Sequence, residues 1–195
     1  MATNLTLIFV AETRSVVAVA TRTALSGQFE TYSGLSDAEK KPIHAKELEA
    51  LVGNTLPIAN NLRPTDPQVD ISIPRSELDA VLSASDANLM LAPLTYSVNA
   101  QGEFDGVTGT ISAVALQTGR TAVKVSVSPA VTGTAKVWMR IQPANSSHLP
   151  QTVTGQLSSA IDSGNSVTIP ITVLPSGDFV VLAMAEKYPP KFAVL

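Results

Sequence analysis

The chain has 195 residues, 45% of them hydrophobic, 15% charged and 5% aromatic, with a formal net charge of -3 and no cysteine. Disulfides, thiolate zinc sites and cysteine nucleophiles are thereby excluded, and the acidic balance argues against nucleic acid, whose phosphates demand clustered Lys and Arg. So few aromatics leave aliphatic cores, and the length suits two domains of about 100 residues, each able to bury a core of its own.

The first element reads as a β-hairpin. Leu5, Leu7 and Phe9 alternate with Thr6, Ile8 and Val10, and Val16–Thr21 returns after the polar loop Glu12–Ser15. Both strands are apolar on both faces, which predicts cover on both sides. The opening Met1–Glu12 stretch lacks a basic n-region and its apolar run is short. It therefore reads as a strand rather than a signal peptide. The expected location is the cytoplasm where the chain is made, or a virion or extracellular particle that takes it up. No apolar run approaches the ~20 residues of a membrane helix, so no membrane insertion is expected.

Thr23–Leu35 is a polar connection with Gly27 and Gly34. Ser36-Asp37-Ala38-Glu39 has the form of a capping box, but Pro42 follows closely. The capped turn is therefore expected to be short, with the main helix running from Pro42 to Val52. Leu48, Leu51 and Val52 form its stripe, and Gly53-Asn54 its stop. Asn54–Gln68, carrying Pro57, Pro64 and Pro67, is expected to be an extended, stiffened loop. Val69–Ile73 alternates as a strand. Pro74 is expected to open a second helix with Leu78, Val81 and Leu82 as its buried stripe, before Leu89–Val98 returns as partly extended chain. Residues 1–98 thus read as a β-β-α-β-α-β domain of the α+β class. Residues 99–106, ending on the turn dipeptide Asp105-Gly106, are a linker or a turn.

From Gly106 to Leu195 there are six Lys/Arg, three Asp/Glu and twenty Ser/Thr, a balance that puts hydroxyls rather than charges on exposed strand faces. Expected strands are Thr108–Leu116, Ala122–Val127, Ala135–Ile141, a weaker Thr152–Leu157, Val167–Leu174, Phe179–Ala185 and Lys191–Leu195. Pro170 cannot donate to a ladder, so its strand belongs at an edge or carries a bulge. This spacing over residues 107–195 fits an immunoglobulin-like or fibronectin-III-like β-sandwich, without the disulfide and tryptophan signature of antibody domains. The expected fold class is an α+β N-terminal unit followed by an all-β immunoglobulin-like sandwich, β-rich overall. Architecture of this kind carries no function with it.

Chemistry-bearing motifs are sparse. His44 and His148 lie in opposite halves with no further ligands at metal spacing, so no metal is expected. The carboxylate pairs Asp37/Glu39, Glu47/Glu49 and Glu77/Asp79 sit at predicted helix starts or polar helix faces, where the macrodipole and solvation account for them. Gly102, Gly106 and Gly109 form no phosphate-binding loop, and Asp162-Ser163-Gly164-Asn165 lacks the acidic density of a calcium site. No catalytic residue, cofactor or small-molecule ligand is expected. A hydrolase on the N-terminal unit would need His44 to meet Ser36 or Ser76.

Interaction features stand out more. Trp138 lies between Lys136 and Arg140 on the polar-face side of its strand. It is either an exposed contact anchor, since aromatics and Arg dominate interface hot spots, or a residue packed inside a larger core with the cations at its rim. The apolar C-terminus, with Tyr188, Phe192 and Leu195, is a last strand or an arm donated to a neighbour. The loop carrying Pro57 and Pro64, like Thr23–Leu35, is an ordinary loop or a clasping arm. The expected function is that of a non-enzymatic structural subunit of a larger oligomeric particle: a virion, phage-tail or contractile-injection component that associates with itself or with other subunits. The alternative is a carbohydrate- or surface-binding sandwich module, for which Trp138, Tyr188 and Tyr96 are few and scattered.

Overall fold

Period-2 alternation dominates the chain, and in the computed structural model it yields several antiparallel sheets, with 48% strand against 18% helix, so the protein is β-rich. The structure describes residues 4–22, 32, 34–83, 86–145 and 148–195. Apart from Tyr32, Gly34 and Leu35, the Thr23–Leu35 connection lies outside the described residues. Contacts divide the chain into two compact units, Met1–Leu56 with Ile73–Gly106, and Pro57–Ser72 with Val107–Leu195.

In the first unit β1 (Asn4–Val10) and β2 (Val16–Arg22) form the expected hairpin. Helix α1 follows at Asp37–Leu51. It begins at the capping box itself, earlier than Pro42. The Ser36 amide donates to Glu39 Oε2 at 2.8 Å and the Ser36 hydroxyl to the same oxygen at 2.5 Å. Satisfying two groups at the helix start outweighs the one intrahelical bond that Pro42 forgoes in the interior. Next come β3 (Thr55–Ile58) and β4 (Ile71–Pro74), paired in a two-stranded ribbon of which Thr55, Leu56, Ile73 and Pro74 belong to this unit.

The helix expected after Pro74 is instead a single 3₁₀ turn, Arg75–Glu77, followed by a strand, β5 (Leu78–Ser83). Leu78, Val81 and Leu82 match a helical stripe, but Leu78, Ala80 and Leu82 match a strand equally well. Pairing decides between them: β1 needs a second neighbour, and β5 supplies it in the order β2-β1-β5, with Leu7 opposite Val81. The expected β-β-α-β-α-β order is corrected accordingly. One face of this sheet packs Leu5, Leu7, Phe9, Val16 and Val81 with Leu89 and Val98. On the other face Leu82 packs with Tyr32, and Ile43 of α1 lies against them. Thr6, Ile8 and Val10 are also buried, so the two-faced apolar pattern of β1 is covered on both sides.

The short helix α2 (Ala87–Leu91) is capped by the Asp86 carboxylate, which accepts from the Asn88 and Leu89 amides. Strands β6 (Tyr96–Val98) and β7 (Phe104–Gly106) close a hairpin, so residues 99–106 form its turn and return strand. The Asn99 side-chain oxygen organises that turn by accepting from the Gln101 and Glu103 amides. Arg14, in the left-handed region at φ 58, clamps the hairpin tip to this chain. Its carbonyl accepts from the Val98 amide, and its guanidinium donates to the Val98 and Asn99 carbonyls.

The second unit contains β8 (Thr110–Leu116), β9 (Ala122–Ser128), β10 (Thr134–Pro143), β11 (Gln151–Ser158), β12 (Ser166–Pro170), β13 (Phe179–Ala185) and β14 (Tyr188–Val194). They form two antiparallel sheets, ordered β12-β9-β8 and β11-β10-β13-β14. Val123, Val125 and Val127 of β9, Ile169 of β12, and Val137, Met139 and Ile141 of β10 meet Val181, Ala183 and Ala185 of β13 in one core. Gly155 is required where β11 approaches β12, because a Cβ there would lie 2.6 Å from the Ile169 side chain. Pro170 ends the edge strand β12, where its missing amide leaves no ladder bond unmade. The centre of the larger sheet's outer face is buried as well, with Trp138 2% exposed and Val180, Leu182 and Met184 enclosed.

Candidate functional site

The residues nearest to a chemical site gather in the first unit, in a cleft of about 270 Å³ between the start of α1, strand β5, Arg14 and the Ala100–Gly102 turn. Helical spacing brings Asp37, Lys40, Lys41 and His44 to this side of α1, and β5 supplies Asp79. His44 is half-buried, and its Nε2 lies 2.5 Å from the hydroxyl of Tyr32, with the ring centroids 5.7 Å apart. The Lys40 ammonium sits 5.3 Å from the Tyr32 ring centroid, in cation–π range.

Burial sets the protonation of this pair. It lifts the Tyr32 phenol above its ordinary range, and the nearby Asp37 and Asp79 carboxylates add to the rise against an opposing bond from the Leu82 backbone. Burial also lowers the His44 imidazole, Lys40 lowers it further, and Asp79 and Asp37 pull the other way. Both rings are therefore neutral at neutral pH, and the short bond joins a phenol to an uncharged imidazole. Such a pair can hold a polar ligand or pass a proton.

The partner that a hydrolase would demand is elsewhere. The Ser36 hydroxyl is given to Glu39, which its hydrogen bonds from Ser36 hold below the usual carboxylate range. Ser76 lines a separate shallow depression with Ala45, Leu48 and Arg75. Tyr32 was not legible as a partner of His44, since it lies upstream of the helix and outside any helical spacing. Among the described residues no group of three or more His, Asp or Glu could hold a metal ion, and no helix is long and apolar enough to cross a membrane.

The residues singled out as contact candidates fall mainly on one sheet of the second unit. Trp138 opposes Met184 and Thr154 on the outer face, where it is buried rather than exposed. One row across the same face runs Thr152, Arg140, Leu182, Phe192, and Arg140 Nη1 donates to the Thr152 hydroxyl at 2.7 Å. Phe192 is buried, and Leu195 is partly buried against the core, its backbone bonded both ways to Phe179. The Tyr188 hydroxyl donates to the Pro129 carbonyl at 2.8 Å, and burial raises its pKa. Pro57 is exposed in strand β3, where a loop was expected, and Pro64 is exposed in the β3–β4 loop, which is tied to itself: Asn60 Nδ2 donates to the Val69 carbonyl and Gln68 Nε2 to the Arg63 carbonyl.

Sequence reasoning missed two apolar side chains that face water at one end of the second unit. Leu149 is 87% exposed in the β10–β11 loop and Val173 60% exposed in the β12–β13 loop. Antiparallel order puts both loops at one end of the two sheets. There the Gln151 amide joins them, donating to the Thr172 carbonyl at 3.2 Å and accepting from the Thr172 amide at 3.0 Å. At the same end the Arg120 guanidinium donates to the Leu174 and Gly177 carbonyls. Comparison with protein-family models, with curated proteins and with solved structures gives no match.

Proposed function

We propose that this chain is a non-enzymatic structural subunit of a larger oligomeric particle, of the kind that builds virions, phage tails or contractile-injection machines. In this reading an α+β N-terminal unit precedes an immunoglobulin-like sandwich. Strand order supports the sandwich: lettering β8 to β14 as A, B, C, C′, E, F and G gives sheets A-B-E and C′-C-F-G, the fibronectin-III variant of that architecture.

The observation that carries the functional reading is the pair Leu149 and Val173. Isolated exposed apolar residues are ordinary, but these two share one end of the unit, on loops joined by the Gln151–Thr172 bonds. Loops already joined lose less conformational freedom on association, and burying two such side chains against a neighbour contributes about 1.5–3 kcal/mol each. Loops of this kind on a rigid sheet framework are where binding surfaces concentrate.

Size-exclusion chromatography with light scattering, followed by negative-stain imaging, tests the reading. Rings, filaments or a defined oligomer are expected, and a Leu149→Ser/Val173→Ser variant should shift the population to smaller species while keeping its circular dichroism. A clean monomer across a wide concentration range overturns self-assembly.

A further inference from the structure

The two sheets of the second unit end in four edge strands, and three are guarded against adding another strand. Strand β12 closes on Pro170. Strand β14 carries Pro189, Pro190 and Lys191 in its first half. Strand β8 is broken by a bulge between Ile111 and Ala113, and its Ser112 carbonyl is taken by Lys191 Nζ at 2.7 Å. Proline, lysine and bulges are the devices by which sheet proteins blunt their edges.

Strand β11 has none of these. It reads Gln-Thr-Val-Thr-Gly-Gln-Leu-Ser, and β10 is its ladder partner among the described residues. No Asp, Glu, Lys or Arg occurs anywhere from Ile141 to Ile161. Thr154 and Gln156 are exposed. Gln151 is tied by the Gln151–Thr172 bonds, the Thr152 hydroxyl accepts from Arg140 and the Ser158 carbonyl accepts from the Ile161 amide, so the open stretch is Val153–Leu157, whose one ladder neighbour among the described residues is β10.

We infer that this edge takes a second copy of the same chain, strand β11 pairing antiparallel with its own image across a two-fold axis. The inference rests on the assembly reading and names one of its contacts. A second copy fits because the segment complements itself. An uncharged strand meets no like charge in its image, and a two-fold contact uses the same patch on both partners.

Parity narrows the register. Leu157 and Val153 face the core, as Gly155 does against Ile169, whereas Thr152, Thr154 and Gln156 share the outer face with Arg140, Trp138 and Lys136. Opposed residues in an antiparallel pair share a face, so the axis passes through a residue rather than between two. Through Thr154, the residue opposes itself and Thr152 opposes Gln156. Through Gly155, Thr154 opposes Gln156 and Val153 opposes Leu157. Either way hydroxyls and amides line one face, and the two four-stranded sheets become one of eight.

The test uses the full chain. Light scattering across a concentration series should give a dimer-forming wild type and at least tenfold weaker association for Thr154→Lys, which sets ammonium groups beside the axis. Mild oxidation supplies an independent readout, because the chain has no cysteine of its own. Thr154→Cys should form disulfide dimers if the axis passes through Thr154, and Thr154→Cys/Gln156→Cys if it passes through Gly155. Ser112→Cys on the guarded edge should form none. The cysteine variants decide the matter should Thr154→Lys fail to fold. Unchanged association of a folded Thr154→Lys, or no preference of the β11 cysteines over Ser112→Cys, overturns the inference. If oligomers then persist in Thr154→Lys but vanish in Leu149→Ser/Val173→Ser, the assembly reading stands without this contact. A wild type that is monomeric throughout removes both.

Discussion

Burial keeps Tyr32 and His44 uncharged, and that makes the first unit sensitive to acid. His44 is depressed below the ordinary imidazole value of 6.5 chiefly by burial, so the unfolded chain takes up the proton before the folded one does. The stability this imidazole contributes is complete above about pH 6.5 and is lost as pH falls through its lowered folded value. A His44→Gln variant, which keeps a polar group in place without the titration, should lose less stability than wild type between pH 7.5 and 5.5. Urea unfolding at the two pH values checks this, and parallel losses in both proteins would contradict it. The imidazole was visible in the sequence, but its environment was not. A cleft assembled from α1, β5 and the Arg14 turn depends on tertiary contacts that no local spacing encodes.

Between elements, β11 and β12 approach tightly at Gly155. Adding one methyl there meets Ile169 Cγ1 at 2.6 Å and Cδ1 at 2.7 Å, an overpacked contact of a kind that costs about 1–3 kcal/mol. Gly155→Ala should be destabilised by that amount, and Ile169→Val, which removes Cδ1 and leaves Cγ1 in place, should restore part of it. A double-mutant cycle by chemical denaturation measures the coupling, and strict additivity would mean that the two strands sit farther apart.

Strands of the second unit were legible because their alternation is clean and turn residues separate them. Ala135, Val137, Met139 and Ile141 face the core as their spacing predicts. Two readings in the first unit failed for one reason: local rules compete. Pro42 argued for a late helix start, yet the reciprocal capping of Ser36 and Glu39 prevailed. Leu78–Leu82 satisfied both helical and strand periods, and the demand of β1 for a partner chose the strand. The surface was harder still to read. Leu149 is a single apolar residue in a polar loop, whereas Val173 continues the alternation of the expected Val167–Leu174 strand past its observed end at Pro170, and only the strand order brings the two to one end.

For the molecule as a whole, the large core lies within one stretch of chain, between Ile111 and Tyr188. A fragment of residues 107–195 is therefore expected to fold by itself. It lacks Pro57–Ser72, whose contacts group with it in the intact protein, so its urea midpoint should lie below that of the corresponding transition in the full chain. Far-ultraviolet circular dichroism during denaturation is the measurement, and a fragment that is unfolded in water would mean that the core needs the distant segment to form.

The unequal guarding of the four sheet edges also sets a limit on growth. A molecule with two adhesive edges can be threaded indefinitely into a fibre, each newcomer offering a fresh end to the next. With Pro170, Pro189, Pro190 and Lys191 spoiling their own margins and a bulge spoiling another, the two sheets of the second unit have one such end among the described residues, and a pair joined there has used both. Strand-to-strand propagation through these two sheets stops at two, and anything larger must be built from other surfaces.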